Sequence, residues 1–96
     1  MKIEEIIIEL NHICEDVYEL HNLIICNKLF KLNKHIKKHI EHDLYMNFNK
    51  EVENLFFESF INEKIFNDEI KIIINDIIYL ISQIIIMLNN ILLNYP

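Results

Sequence analysis

Residues 68–94 read DEIKIIINDIIYLISQIIIMLNNILLN, and this stretch decides the fold class. One apolar stripe runs through Ile70, Ile73, Ile74, Ile77, Ile81, Ile84, Leu88 and Ile91, at the three- and four-residue spacing of a helix face. A second repeats every seven residues, at Ile72, Tyr79, Ile86 and Leu93. At about 100° per residue, the second stripe lies roughly opposite the first. Asn75, Asp76, Ser82, Gln83, Asn89 and Asn90 flank the second stripe rather than replace it. Asn67 is placed to cap the segment, and Asp68 and Glu69 put carboxylates in its first turn, where they favour the helix dipole. The segment is predicted to be one helix over about 68–94, apolar on two opposite sides. Such a helix needs two neighbours.

Upstream, Ile3, Ile6, Ile7, Leu10, Ile13, Cys14, Val17, Leu20, His21 and Ile24 keep the same helical period, which predicts a long helix over about 2–26. Glu5, Glu9, His12, Asp16 and Glu19 form its solvated side. Asn27 and Asn33 mark a change of character, because Asn is the best residue for left-handed caps in a chain without glycine. Leu29, Leu32, Ile36 and Ile40 predict a shorter helix over about 28–43. Asn47-Phe48-Asn49 offers an N-cap to another, whose apolar face is Val52, Leu55, Phe56 and Phe60 and which breaks between Asn62 and Asn67. The expected architecture is a single all-α domain over residues 1–96. The two long helices pack together and the two short ones form a broken third rod. That leaves too few helices to cover both faces of 68–94, so self-association is expected to complete the bundle.

Composition excludes much. The 96 residues contain no Gly, Ala, Arg, Thr or Trp, and the one Pro is the last residue. No glycine-rich phosphate loop, dinucleotide fingerprint or nucleophile elbow can be built from them. Hairpins and bulges lean on Gly and Pro, so a β fold is disfavoured. The enrichment in Ile, Asn, Lys and Phe is expected of a gene from an A/T-rich genome, such as that of a large DNA virus, a phage, a protist, an organelle or a low-GC bacterium. Met1-Lys2-Ile3-Glu4-Glu5 carries acids where a secretory leader has a basic and then apolar start, so an intracellular location is expected. Cys14 and Cys26 match no metal or redox spacing, and on one helix they would lie ~18 Å apart, too far for a disulfide.

The net charge of −6 is uneven. Residues 1–26 set Lys2 against six acids, whereas residues 27–44 set Lys28, Lys31, Lys34, Lys37 and Lys38 against Glu41 and Asp43. The basic stretch is expected to complement its acidic neighbours, the functional alternative being a phosphate-binding or acidic-partner surface. Nucleic-acid binding is disfavoured by the acidic total and the lack of Arg.

Few residues have the character of a chemical site. On a helix, His35, His39 and His42 would fall within about 60° of arc, at a spacing that can point imidazoles at one ion. The pattern matches no catalytic zinc motif, and lysines beside it repel a cation, so histidines at the edge of the core are the plainer reading. Cys14 and His21 are read as core residues, being about 10 Å apart on one helix and so no nucleophile–base pair. Glu4, Glu5, Glu9, Glu15, Asp16 and Glu19 are read as a solvated face, not a carboxylate array. Phe48, Phe56, Phe57, Phe60 and Phe66 are expected to pack the core, the alternative being that an exposed remnant such as Phe57 anchors a partner.

No enzyme and no cofactor is expected. The expected function is that of an α-helical interaction or assembly module acting by contact, such as a viral or phage regulator or inhibitor. Its interface would be Ile72, Tyr79, Ile86 and Leu93, and its partner a second copy (a dimer) or another protein. Two alternatives differ in class. One is a membrane-associated protein anchored by its C-terminal helix, which is long enough to cross ~30 Å but interrupted by Asp76, Gln83, Asn89 and Asn90. The other is a metal-binding protein using His35, His39 and His42.

Overall fold

The computed structural model describes residues 1–61 and 68–94. Four helices account for 86% of them: α1 (Ile3–Asp16), α2 (Asn22–Ile36), α3 (His42–Ile61) and α4 (Asp68–Asn94). The expected all-α bundle is present, and no strand occurs among the described residues. The break expected between Asn62 and Asn67, the cap at Asn67 and the side chain of Phe66 lie outside the described residues.

Successive helices run antiparallel and close a ring in which each packs against two others: α1 on α2, α2 on α3, α3 on α4 and α4 on α1. The hydrogen bonds give the register. Asn33 Nδ2 donates to Asn49 Oδ1 at 2.7 Å, and the Cys26 thiol donates to the Val52 carbonyl at 3.8 Å, so α3 descends as α2 rises. The Tyr18 hydroxyl donates to Asn75 Oδ1 at 3.2 Å, tying the corner after α1 to the first half of α4. One core runs through the ring, with Ile6, Leu10 and Ile13 of α1, Ile25, Leu29 and Ile36 of α2, Phe48, Val52 and Leu55 of α3, and Ile74, Ile81 and Ile84 of α4 buried.

This corrects three expectations. The helix expected over 2–26 is two helices, because the chain turns at Val17–Leu20 and His21 caps a new one. The Asp16 carbonyl accepts from the Glu19 and Leu20 amides, and His21 Nδ1 accepts from the Leu23 amide at 3.2 Å. The apolar period continues through the corner because Val17 is buried and Leu20 packs on the core, so periodicity alone cannot reveal the turn. His21 is exposed as a cap instead of buried, and Ile24 is exposed as well. Second, Asn27 and Asn33 end nothing. Both lie inside α2, and no described residue has a positive φ; the second corner forms with Lys37 donating to the Asn33 carbonyl and His39 to that of Ile36. Third, α3 starts at His42, where the Tyr45 amide donates to the Glu41 carbonyl. Asn47 and Asn49 are therefore interior and Phe48 is a core residue. The short helices consequently form two separate rods, and α4 packs most extensively on α3, not on α1.

Asn33 is an exception in this core. It is 6% exposed, donates to Asn49, and leaves its Oδ1 without a partner. Asn49 in turn donates to Glu53 at 3.1 Å, a polar ladder that reaches solvent. A buried acceptor left unpaired costs about 1–3 kcal/mol. Asn33→Leu should therefore keep or raise the urea midpoint, since water can replace the lost donor at half-exposed Asn49. A drop of more than ~1 kcal/mol in a urea melt would show that the Asn33–Asn49 bond outweighs the unpaired acceptor.

Candidate functional site

α4 sorts its side chains by face. Ile70, Ile74, Ile77, Ile81, Ile84 and Leu88 are buried against the other helices. The opposite stripe is not covered: Ile72 is 60% exposed, Tyr79 64%, Ile86 53% and Leu93 82%. A 27-residue helix is ~40 Å long, so these four positions draw an apolar line along nearly all of it. Beside the line, Tyr18 reaches Asn75 from the α1 corner, and Asn47, Lys50 and Glu51 of α3 share a shallow groove with Asp76 and Tyr79. The Ser82 hydroxyl bonds back to the Tyr79 carbonyl at 2.6 Å, while half-exposed Gln83 sits between Tyr79 and Ile86. No charged residue occurs between Ile77 and Asn94.

The histidines are not on one helix. His35 lies in the last turn of α2, His39 in the connection after it, and His42 opens α3. Breaking the expected 28–43 helix at Ile36 removes the shared face that made the spacing suggestive. Among the described residues no three His, Cys, Asp or Glu side chains group so as to hold a metal ion.

Both cysteines are free thiols. Burial, and then the charge of Glu15, push Cys14 above the ordinary thiol range. Burial pushes Cys26 up to about 12, and its thiol is engaged with the Val52 carbonyl. The thiolate is the reactive form, so neither is an activated nucleophile. Iodoacetamide at mildly alkaline pH should modify half-buried Cys14 slowly and Cys26 only on unfolding. Peptide mass mapping with Cys26 labelled first would contradict this packing.

The aromatic residues divide. Phe48 is fully buried, whereas Phe57 and Phe60 are exposed and gather with Phe30 around Phe56. The Phe56 ring meets Phe30 edge-on at 6.1 Å and Phe57 at 5.9 Å, and stacks on Phe60 at 6.4 Å. Phe30 was not among the expected aromatic positions, because its place opposite Phe56 depends on the α2–α3 register. The signal available in the sequence was its offset from the Leu29/Leu32/Ile36 stripe. The chain matches no protein-family model, no curated protein and no solved structure.

Proposed function

We propose that the protein is a non-enzymatic helical assembly module that pairs with a second copy of itself through α4. The observation that carries this reading is the line Ile72, Tyr79, Ile86 and Leu93, each more than half exposed on a helix whose other face is packed. Full burial from full exposure is worth ~1.5–3 kcal/mol per side chain, and covering the exposed half or more of these four adds several kcal/mol, at the lower end of the net stability of a small domain.

Three features favour a second copy as the cover. The positions are self-complementary: in an antiparallel pair with its two-fold axis at Ser82 and Gln83, Ile72 faces Leu93 of the other copy and Tyr79 faces Ile86. An isologous interface requires this reciprocity. Gln83 then meets its own copy near the axis, where an amide can donate and accept at once. Finally, two chains of net charge −6 approach with little repulsion along a seam whose Ile77–Asn94 stretch has no charge and whose other end carries Lys71 and Asp76 of opposite sign.

In this role the protein acts by contact, as a regulator or inhibitor does, and its A/T-rich-type composition fits a viral or phage origin. A membrane anchor is the competing reading, since α4 is long and apolar enough to cross a bilayer. Crossing would pull six α4 side chains out of the core, and α4 carries a single lysine, Lys71, far short of the basic face that favours a lipid surface. Light scattering after size exclusion in detergent-free buffer tests the two. A dimer supports the proposal; aggregation relieved by detergent supports the anchor; a clean monomer at high micromolar concentration rejects self-association.

A further inference from the structure

The basic stretch of the sequence has a structural counterpart away from α4. α1 and α2 enclose a groove of about 390 Å³, within the range of small-molecule sites, and no residue of α4 lines it. Its floor is apolar, formed by the buried side chains of Ile13 and Leu32. Its α2 wall carries Lys28, Lys31, Lys34 and His35. Among the described residues Glu9 is the one acid that lines it, on the α1 side.

If these lysines served to complement the acidic helices, they would be paired with them. Among the described residues none of Lys28, Lys31 and Lys34 has a carboxylate oxygen within 4.0 Å. Burial, together with the positive charges around it, Lys34 and Lys38 among them, pushes the His35 imidazole below its usual range. Positive charge in excess of the one facing carboxylate, Glu9, is thus gathered beside an apolar floor, in a protein that is acidic overall.

We propose that this groove binds a phosphate monoester carrying a compact apolar group. The phosphate lies against the lysines and the apolar part over Ile13 and Leu32. Phosphate is favoured over carboxylate because three ammonium groups on one wall match a dianion, whereas planar carboxylates are best held by the arginine fork that this chain lacks. Glu9 on the facing wall keeps the anion on the α2 side. The same chemistry is presented by a soluble phosphomonoester and by the headgroup of phosphatidic acid.

The test uses the full chain with two probes. Phenyl phosphate is titrated while backbone amides are followed by NMR, and sedimentation is measured with phosphatidylcholine vesicles with and without phosphatidic acid. Amides at Ile13, Leu32 and His35 should shift with phenyl phosphate. The triple variant Lys28→Gln, Lys31→Gln, Lys34→Gln should bind at least ~10-fold more weakly, or about 1.4 kcal/mol. Lys50→Gln with Lys71→Gln, which removes charge outside the groove, should change affinity by less than ~2-fold, since exposed distant charges contribute little. Binding of phenyl phosphate without sedimentation assigns a soluble ligand; sedimentation with phosphatidic acid that the triple variant abolishes assigns a lipid. No shift at the groove with either probe overturns the site. So does equal weakening by the triple variant and the Lys50/Lys71 control, which would mean attraction to net charge alone. Circular dichroism on each variant separates loss of binding from loss of fold.

Discussion

Ile86→Glu should convert the protein from a dimer to a monomer while leaving its helix content intact. Ile86 stands beside the proposed two-fold axis, opposite Tyr79 of the other copy, so each dimer contains the substitution twice. Losing the burial that the seam adds at two half-exposed sites removes ~1.6–3 kcal/mol, a weakening of about 10- to 100-fold before the cost of bringing a carboxylate into the seam. Within one chain the same side chain is more than half exposed, so the bundle itself should tolerate the change. Ile86→Ala shrinks the seam without adding charge and should weaken association less. Sedimentation or light scattering gives the oligomeric state, and circular dichroism the fold. A wild-type monomer that is folded at high micromolar concentration overturns the seam, and so does a folded dimer indifferent to Ile86→Glu.

Five residues earlier, the same truncation should have a different consequence. Ile81 is 1% exposed and belongs to the core shared by all four helices. Ile81→Ala leaves a cavity there and should cost ~2–5 kcal/mol, against a net stability of about 5–15 kcal/mol for a domain. Ile86→Ala, measured below the dimer's dissociation range, should stay within ~0.5 kcal/mol of wild type. Phe48→Ala, at a fully buried ring, should cost ~3–5 kcal/mol. Urea melts at low micromolar concentration compare all three. Similar losses for Ile81→Ala and Ile86→Ala in the monomer would mean that the two faces of α4 are not distinguished as the structure has them.

The contrast between Ile81 and Ile86 was legible in the sequence, because both stripes of α4 follow directly from residue spacing on a helix without a break. The corners at Val17–Leu20 and Lys37–Glu41 were not. Neither contains Gly or Pro, and Val17, Leu20 and Ile40 go on contributing to the core through the turn, so the apolar period hides the change of direction. The helical face expected to be shared by His35, His39 and His42 was lost for this reason. His35, His39 and His42 share a face only on a helix that continues past Ile36.

The all-α class and the two-sided character of α4 were determined by the sequence alone, since both rest on local backbone preference and a period of 3.6 residues. Tertiary structure decided which segments fold back on one another. It made four antiparallel rods out of an expected two long helices and a broken third, placed Asn33 against Asn49, and brought Phe30 to Phe56. It also set the lysines of α2 beside an apolar floor, across a groove from Glu9. Those outcomes depend on contacts between residues distant in the chain, and their free energy comes from burying one helix face on another, which no local pattern encodes.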